Sequence, residues 1–99
     1  MRVSFRSADL DRLETEAGFD GGHAPGVVSA YRKRMQQIRA ALDERAFYAL
    51  KSLRFKRLQG KRSHQRAMRL NDQWRLILEF EETGGKGKTV VVVGIEDYH

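Results

Sequence analysis

The hydrophobic pattern of this chain changes period once, and that change limits the fold more than any other feature. From about residue 26 to residue 42, apolar residues recur at spacings of three and four, which is typical of an amphipathic helix. Beyond residue 53 the spacing becomes two in several segments, which is typical of strands. Helices followed by a run of hairpin-connected strands predict an α+β fold with a mostly antiparallel sheet.

The predicted elements follow the order β-α-α-β-β-β-β. Residues 1–6 alternate as a short strand, and a helix capped by Ser7 or Asp9 follows and is stopped by Gly18. The apolar stripe of the second helix consists of Val27, Val28, Tyr31, Met35, Ile38 and Leu42. A further helical turn is predicted at 44–50, strands at 53–57, 66–70, 74–80 and 90–93, and a hairpin loop at 84–88. We expect the helices to pack on a twisted sheet of four or five strands, with 90–93 as a central strand.

The length of 99 residues fits a single domain that spans residues 1–99. The chain has no cysteine, and its three histidines, at 23, 64 and 99, form no close ligand pair, so we expect neither a metal site nor a cofactor. We also expect a cytoplasmic protein, because the sequence has no run of about 18 apolar residues and no signal peptide.

Positive charge is concentrated in one part of the chain. The net charge is +6, and nine of the 19 basic residues lie within 51–75, where Asp72 is the one acidic residue. Such clustering is typical of a surface that binds the phosphates of nucleic acid, although a solvated basic surface is the simpler alternative. The side chains expected to contact nucleic acid are Arg54, Arg57, Lys61, Arg62, Arg66 and Arg69, together with Asn71.

Two further features are candidates for chemistry. Trp74 alternates in phase with the core positions, so Arg75 points to the opposite face, where it is placed either to bind a phosphate or to pair with Glu79. Residues 96–99 (EDYH) follow the central strand and bring together side chains that transfer protons near neutral pH. A polar tail is the alternative interpretation of that segment.

The chain resembles the HigB toxins of bacterial type II toxin–antitoxin systems, within the RelE/ParE superfamily. The matching segments are residues 3–5 (VSF), 10–13 (LDRL), 58–62 (LQGKR), 68–75 (MRLNDQWR) and 97–99 (DYH). The resemblance implies a small α+β domain that cleaves mRNA in the ribosomal A site. It also implies neutralisation by a HigA-like helix-turn-helix antitoxin, through which alone operator DNA would be bound.

The resemblance assigns family site positions to Arg75, Asp97, Tyr98 and His99, and strand and turn positions to Arg69 and Asn71. Many members have a histidine where this chain has Lys56, and a lysine where it has Gln59. The implied reaction is metal-independent cleavage through a 2′,3′-cyclic phosphate.

In that reaction, either Asp97 or Lys56 would serve as the base and His99 as the acid. Tyr98 would stack on the nucleobase or assist, and Arg75 would hold the phosphate together with Arg69. His64 could replace the missing histidine if its loop folded back over the sheet. The alternative from another class is a binding module without nuclease activity, either a ParE-like gyrase inhibitor or an RNA-binding protein.

Overall fold

The computed structural model describes residues 1–82 and 87–97 and confirms the α+β fold. Its strands are β1 (Arg2–Phe5), β2 (Lys56–Arg57), β3 (Gln65–Arg69), β4 (Trp74–Glu82) and β5 (Lys88–Asp97). Its helices are α1 (Ala8–Thr15), α2 (Pro25–Ala40) and α3 (Arg45–Ala49), and short 3₁₀ turns occupy Lys51–Leu53 and Gly60–Arg62. Most of the predicted hairpin loop, residues 84–86, lies outside the described residues.

The five strands form one mixed sheet in the order β1-β5-β4-β3-β2. All neighbouring pairs are antiparallel except β1 and β5, which run parallel. The apolar strand predicted at 90–93 therefore has a neighbour on each side, as expected of a central strand. The two longest strands, β4 and β5, lie next to each other in the interior of the sheet, and the shorter strands pair with their outer edges.

Local sequence signals explain where the helices begin. The Ser7 hydroxyl accepts a hydrogen bond of 3.4 Å from the Leu10 amide, so Ser7 rather than Asp9 is the N-cap of α1. Pro25 occupies the first turn of α2, where its missing N–H costs no hydrogen bond. Helix α1 ends at Thr15, three residues before Gly18, so Gly18 does not itself stop the helix.

The helices pack on one face of the sheet and form the core there. Tyr31, Met35 and Ile38 of α2 are fully buried against Leu76 and Leu78 of β4 and against Val90 and Val92 of β5. The Tyr31 hydroxyl donates to the Leu10 carbonyl at 2.7 Å, which ties α2 to α1. Burial raises the pKa of Tyr31, so this phenol remains a hydrogen-bond donor at all physiological pH values.

Two predictions from the hydrophobic pattern are wrong. Leu42 does not extend the apolar stripe of α2, because the helix ends at Ala40 and the Leu42 side chain is 96% exposed. The strand predicted at 53–57 is reduced to Lys56–Arg57, because Leu53 closes a 3₁₀ turn and Arg54 adopts a left-handed backbone with φ 46°. Leu53 and Phe55 are nevertheless buried in the core, and their burial explains the alternation that resembled a strand.

Candidate functional site on the open face of the sheet

The described helices leave one face of the sheet without a helical layer, and we call it the open face. Arg75, Ile77 and Glu79 of β4 point to it, because Leu76 and Leu78 point to the core. Cross-strand partners share a face. Lys56, Ala67, Ile77 and Gly94 therefore form one row across four strands, and Arg69, Arg75 and Glu96 form the next.

A cavity of about 180 Å³ lies between these two rows. Its apolar floor consists of Leu58, Ala67 and Ile77, and its polar wall consists of Arg62, Arg75, Glu96 and Asp97. The structure thus brings together three residues predicted from the sequence, Arg62, Arg75 and Asp97. Lys56 stands beside the floor, because it pairs with Ala67 across strands β2 and β3.

Arg75 is held firmly and is only 8% exposed. One of its terminal nitrogens donates to the carbonyl oxygens of Asn71 at 2.6 Å and of Trp74 at 3.2 Å. Directly opposite on β3 is Arg69, so two like charges face each other on neighbouring strands. Arg69 also pairs with the exposed Asp72. A bound phosphate would relieve the repulsion between the two guanidinium groups.

Asn71 shapes the turn between β3 and β4. Its side-chain oxygen accepts hydrogen bonds from the amides of Gln73 at 2.9 Å and Trp74 at 2.8 Å, as in an Asx turn. Its carbonyl accepts the hydrogen bond from Arg75. The predicted site position at Asn71 therefore holds the backbone that positions Arg75.

A network of polar side chains covers the remainder of the open face. Arg62 binds both carboxylate oxygens of Glu96, at 2.9 and 2.7 Å, and its Nε donates to Gln65 at 2.8 Å. Gln65 and Arg6 each donate to the Glu79 carboxylate at 2.8 Å. These hydrogen bonds, that of Gln65 first, lower the pKa of Glu79. We call these five residues the polar cover.

Glu79 forms an ion pair with Arg6. The loop before β3 folds back over the sheet and brings His64 close to the same carboxylate. His64 Nε2 lies 3.6 Å from a Glu79 carboxylate oxygen. The imidazole remains 62% exposed and does not line the cavity. A role for His64 requires its loop to fold back over the sheet. The loop does so, but it places His64 beside Glu79, one row away from the cavity.

A β-bulge in β5 decides which acidic residue lies opposite Arg75. Ile77 pairs with Gly94 and Leu78 pairs with Val92, so Val93 is an extra residue without a partner on β4. The bulge shifts the alternation by one position, which places Glu96 opposite Arg75 and Asp97 opposite Trp74. The Asp97 carboxylate lies at the rim, where it accepts a 3.2 Å hydrogen bond from Gln73. The sequence analysis included Glu96 in the segment 96–99 but did not place it opposite Arg75, because strict alternation carries no sign of a bulge.

The other residues predicted to bind RNA do not share one surface. Arg66 pairs with Leu78 and with Arg57, so both arginines point to the helical side of the sheet. Arg66 lies over the ring of Phe80, at 5.8 Å from its centre. Arg54 follows the first 3₁₀ turn, and Lys61 is exposed in the second. The open face therefore receives only part of the predicted basic footprint, namely Lys56, Arg62, Arg69 and Arg75.

Tyr98 and His99 lie outside the described residues. Among residues 1–82 and 87–97, no group of three or more acidic or histidine side chains is arranged to hold a metal ion. In the same part of the chain, no helix is long and apolar enough to cross a membrane.

A larger cavity, about 450 Å³, lies between residues 17–20 and α2, away from every predicted site residue. Its principal cation, Arg32, is already bound to the carbonyls of Leu13, Glu16 and Phe19. The smaller cavity on the open face is the better candidate for chemistry, because its cations and carboxylates surround an apolar floor.

No protein-family model and no curated protein matches this sequence. Solved structures do match it, and one is described as a YoeB/ParE toxin from Agrobacterium tumefaciens. The two chains superpose over their full lengths with a TM-score of 0.63 and 11% sequence identity. At that identity the likeness concerns the fold, and the chain therefore has a RelE/YoeB-like α+β fold.

Proposed function

We propose that this protein is the toxin of a type II toxin–antitoxin pair and acts as a ribosome-dependent endoribonuclease on mRNA in the A site. The observation that carries the proposal is the cavity on the open face. Arg62 and Arg75 line it beside the carboxylates of Glu96 and Asp97, and Arg69 faces Arg75 from β3. Clustered guanidinium groups over an apolar floor fit a phosphate with its attached nucleotide.

The reaction follows from what such a site offers. A base removes the proton of the RNA 2′-OH, the 2′-oxygen bonds to the neighbouring phosphorus, and the bond to the 5′-oxygen breaks. The products are a 2′,3′-cyclic phosphate and a 5′-OH whose oxygen takes a proton from an acid. We assign the base to Asp97 or Lys56, the acid to His99, and stacking or assistance to Tyr98. Arg75 and Arg69 stabilise the charge of the pentavalent phosphorane.

The ribosome supplies what the small cavity lacks. A site of about 180 Å³ contacts little of a long mRNA, so orientation of the scissile phosphate has to come largely from the ribosome. Basic residues outside the open face, such as Arg57 and Lys61, are then available to contact ribosomal RNA. The proposed antitoxin is a HigA-like protein that closes the open face or blocks entry to the ribosome.

The second candidate is a binding module of the same fold without nuclease activity, such as a ParE-like gyrase inhibitor. The description of the matching structure as a YoeB/ParE toxin favours keeping it, because a shared fold does not fix the chemistry. The two candidates differ in the side chains they require: only the nuclease needs a proton donor such as His99.

The deciding experiment is primer extension on mRNA from cells that express the chain. Discrete cuts at A-site codons support the nuclease, whereas an SOS response without cuts supports gyrase inhibition. The His99→Ala variant should reduce the rate of cleavage by roughly 10²- to 10⁴-fold while the protein still folds. A variant that folds and cuts as well as the parent would refute the role of His99.

A further inference from the structure

The ion pair between Arg62 and Glu96 forms part of the wall of the cavity. Arg62 belongs to the 3₁₀ turn after β2, and Glu96 belongs to β5, so their contact crosses both β3 and β4. The contact is bidentate, at 2.9 and 2.7 Å, and both residues line the cavity. A ligand in the cavity would therefore lie beside both members of the pair.

Stability does not account for the pair. The two side chains are 46% and 43% exposed, and ion pairs at such exposure contribute little to folding. Yet the geometry is well defined, because Gln65 binds Arg62 and is itself bound to Glu79. The polar cover thus holds the Arg62 guanidinium over the cavity in one orientation.

The Glu96 carboxylate occupies the place where a phosphate would bind. Carboxylates and phosphates accept the same two parallel hydrogen bonds from a guanidinium group. Glu96 is also the cross-strand partner of Arg75, so it faces two of the cations that would bind a phosphate. A phosphate in the cavity and the Glu96 carboxylate would therefore compete for Arg62.

We propose that the Arg62–Glu96 ion pair is an electrostatic gate, which opens when a phosphate of single-stranded nucleic acid takes the place of Glu96 on Arg62. The inference rests on the proposed function for the identity of the ligand, and it adds Glu96 as a positioning residue. Glu96 binds Arg62 in the free protein. An anion must displace the Glu96 carboxylate from Arg62 in order to bind there, which weakens its binding.

The test is the affinity for a short fluorescein-labelled single-stranded DNA, measured by fluorescence anisotropy at low salt. This probe has phosphates but no 2′-OH, so the proposed reaction cannot consume it. We expect Glu96→Gln to bind it about threefold to tenfold more tightly than the parent, because the competing carboxylate is gone. The matched control is Glu81→Gln, which changes the net charge equally at an exposed position near the other end of β4. It should bind nearly as the parent does.

The gain must depend on Arg62. In an Arg62→Gln background, Glu96→Gln should give a clearly smaller gain, because the contact with Arg62 is already absent and only the effect of Glu96 on Arg75 remains. Glu96→Asp keeps the charge but shortens the side chain, so it should give a smaller gain than Glu96→Gln. It also provides a second measurement if Glu96→Gln folds poorly.

Equal affinities of Glu96→Gln and Glu81→Gln would overturn the gate, and so would a gain of the same size with and without Arg62. Failure of every variant to bind the probe would overturn it as well. Primer extension on the parent protein is scored separately. An absence of A-site cuts would refute the proposed nuclease while leaving the comparison of Glu96→Gln with Glu81→Gln intact.

Discussion

Apolar side chains on the two faces of the sheet are buried to a similar degree but are covered in different ways. On the helical face, α2 buries Leu76 and Val92 completely under aliphatic and aromatic side chains. On the open face, Ala67, Ile77 and Val91 are only 2–4% exposed, although the side chains above them are long and polar. The helical face is closed by packing, and the open face by hydrogen bonds and ion pairs of the polar cover.

That difference separates the side chains that hold the fold together from those that a charged ligand can displace. Packed aliphatic side chains cannot be displaced without unfolding the core. Exposed ion pairs contribute little free energy, and a charged ligand can replace them one at a time. The open face can therefore be uncovered while the fold is maintained, which is what a site for a polyanion requires.

The largest expected effect compares two isoleucines, one on each face. Ile38→Ala should lower the free energy of unfolding by about 2–5 kcal/mol, because α2 cannot collapse into the cavity that is left. Ile77→Ala, at an equally buried position, should lose no more than the lower end of that range, because the polar cover can settle inward. Urea unfolding of both variants measures the difference. Equal losses would show that the open face is packed as tightly as the core.

The next effect concerns activity rather than folding. Arg75→Ala should reduce A-site cleavage by about 10²- to 10³-fold, because it removes the best-fixed cation of the cavity. Arg75→Lys keeps the charge but loses the planar fork, so it should restore only part of the activity. Primer extension measures both variants, with circular dichroism to verify folding. Full cleavage by a folded Arg75→Ala protein would exclude the open face as the site.

A smaller effect is expected at the turn that positions Arg75. Asn71→Ala should lower the free energy of unfolding by about 1–2 kcal/mol, because two turn amides lose their acceptor. Asn71→Asp retains an acceptor oxygen at the same place and is the matched control. Thermal unfolding of the pair gives the comparison, and a loss shared by both variants would argue against the Asx turn as the cause.

The smallest effect is a dependence on pH. Because hydrogen bonds from Gln65 and Arg6 lower the pKa of Glu79 in the folded protein, ionised Glu79 stabilises the fold above its unfolded pKa. That contribution is lost as the pH falls through the lowered pKa. Glu79→Gln should therefore cost about 0.5–1 kcal/mol near neutral pH and less near pH 3. Urea unfolding at the two pH values tests this, and a pH-independent cost would contradict it.

Much of the helical face could be predicted from the sequence, because apolar periodicity reports burial directly. Val28, Tyr31 and Met35 are buried as their spacing indicates. The prediction that Leu42 is buried was wrong, because apolar periodicity does not show that α2 ends at Ala40. The prediction of a strand at 53–57 was wrong for most of its length, because burial at every second position does not require strand pairing.

The open face was predictable only in part. Arg75 could be placed by alternation within one strand, and the basic segment 51–75 could be identified by composition. Which of its arginines reach the cavity depends on the register between β2, β3 and β4, and register is a property of pairing between distant residues. Glu96 depends further on one unpaired residue, Val93, whose apolar character is that of its neighbours.

The bulge at Val93 lets β5 tolerate a change in chain length. Because Val93 has no partner on β4, its deletion would restore strict alternation while Gly94 still pairs with Ile77 and Glu96 still pairs with Arg75. Regular pairing of Val93 with Ile77 in a chain of unchanged length would instead turn over every later side chain of the strand and take Glu96 off the open face. A single-codon deletion within this strand can thus be absorbed by loss of the bulge, a route by which proteins of this fold can change length while the acidic end of the strand keeps its orientation.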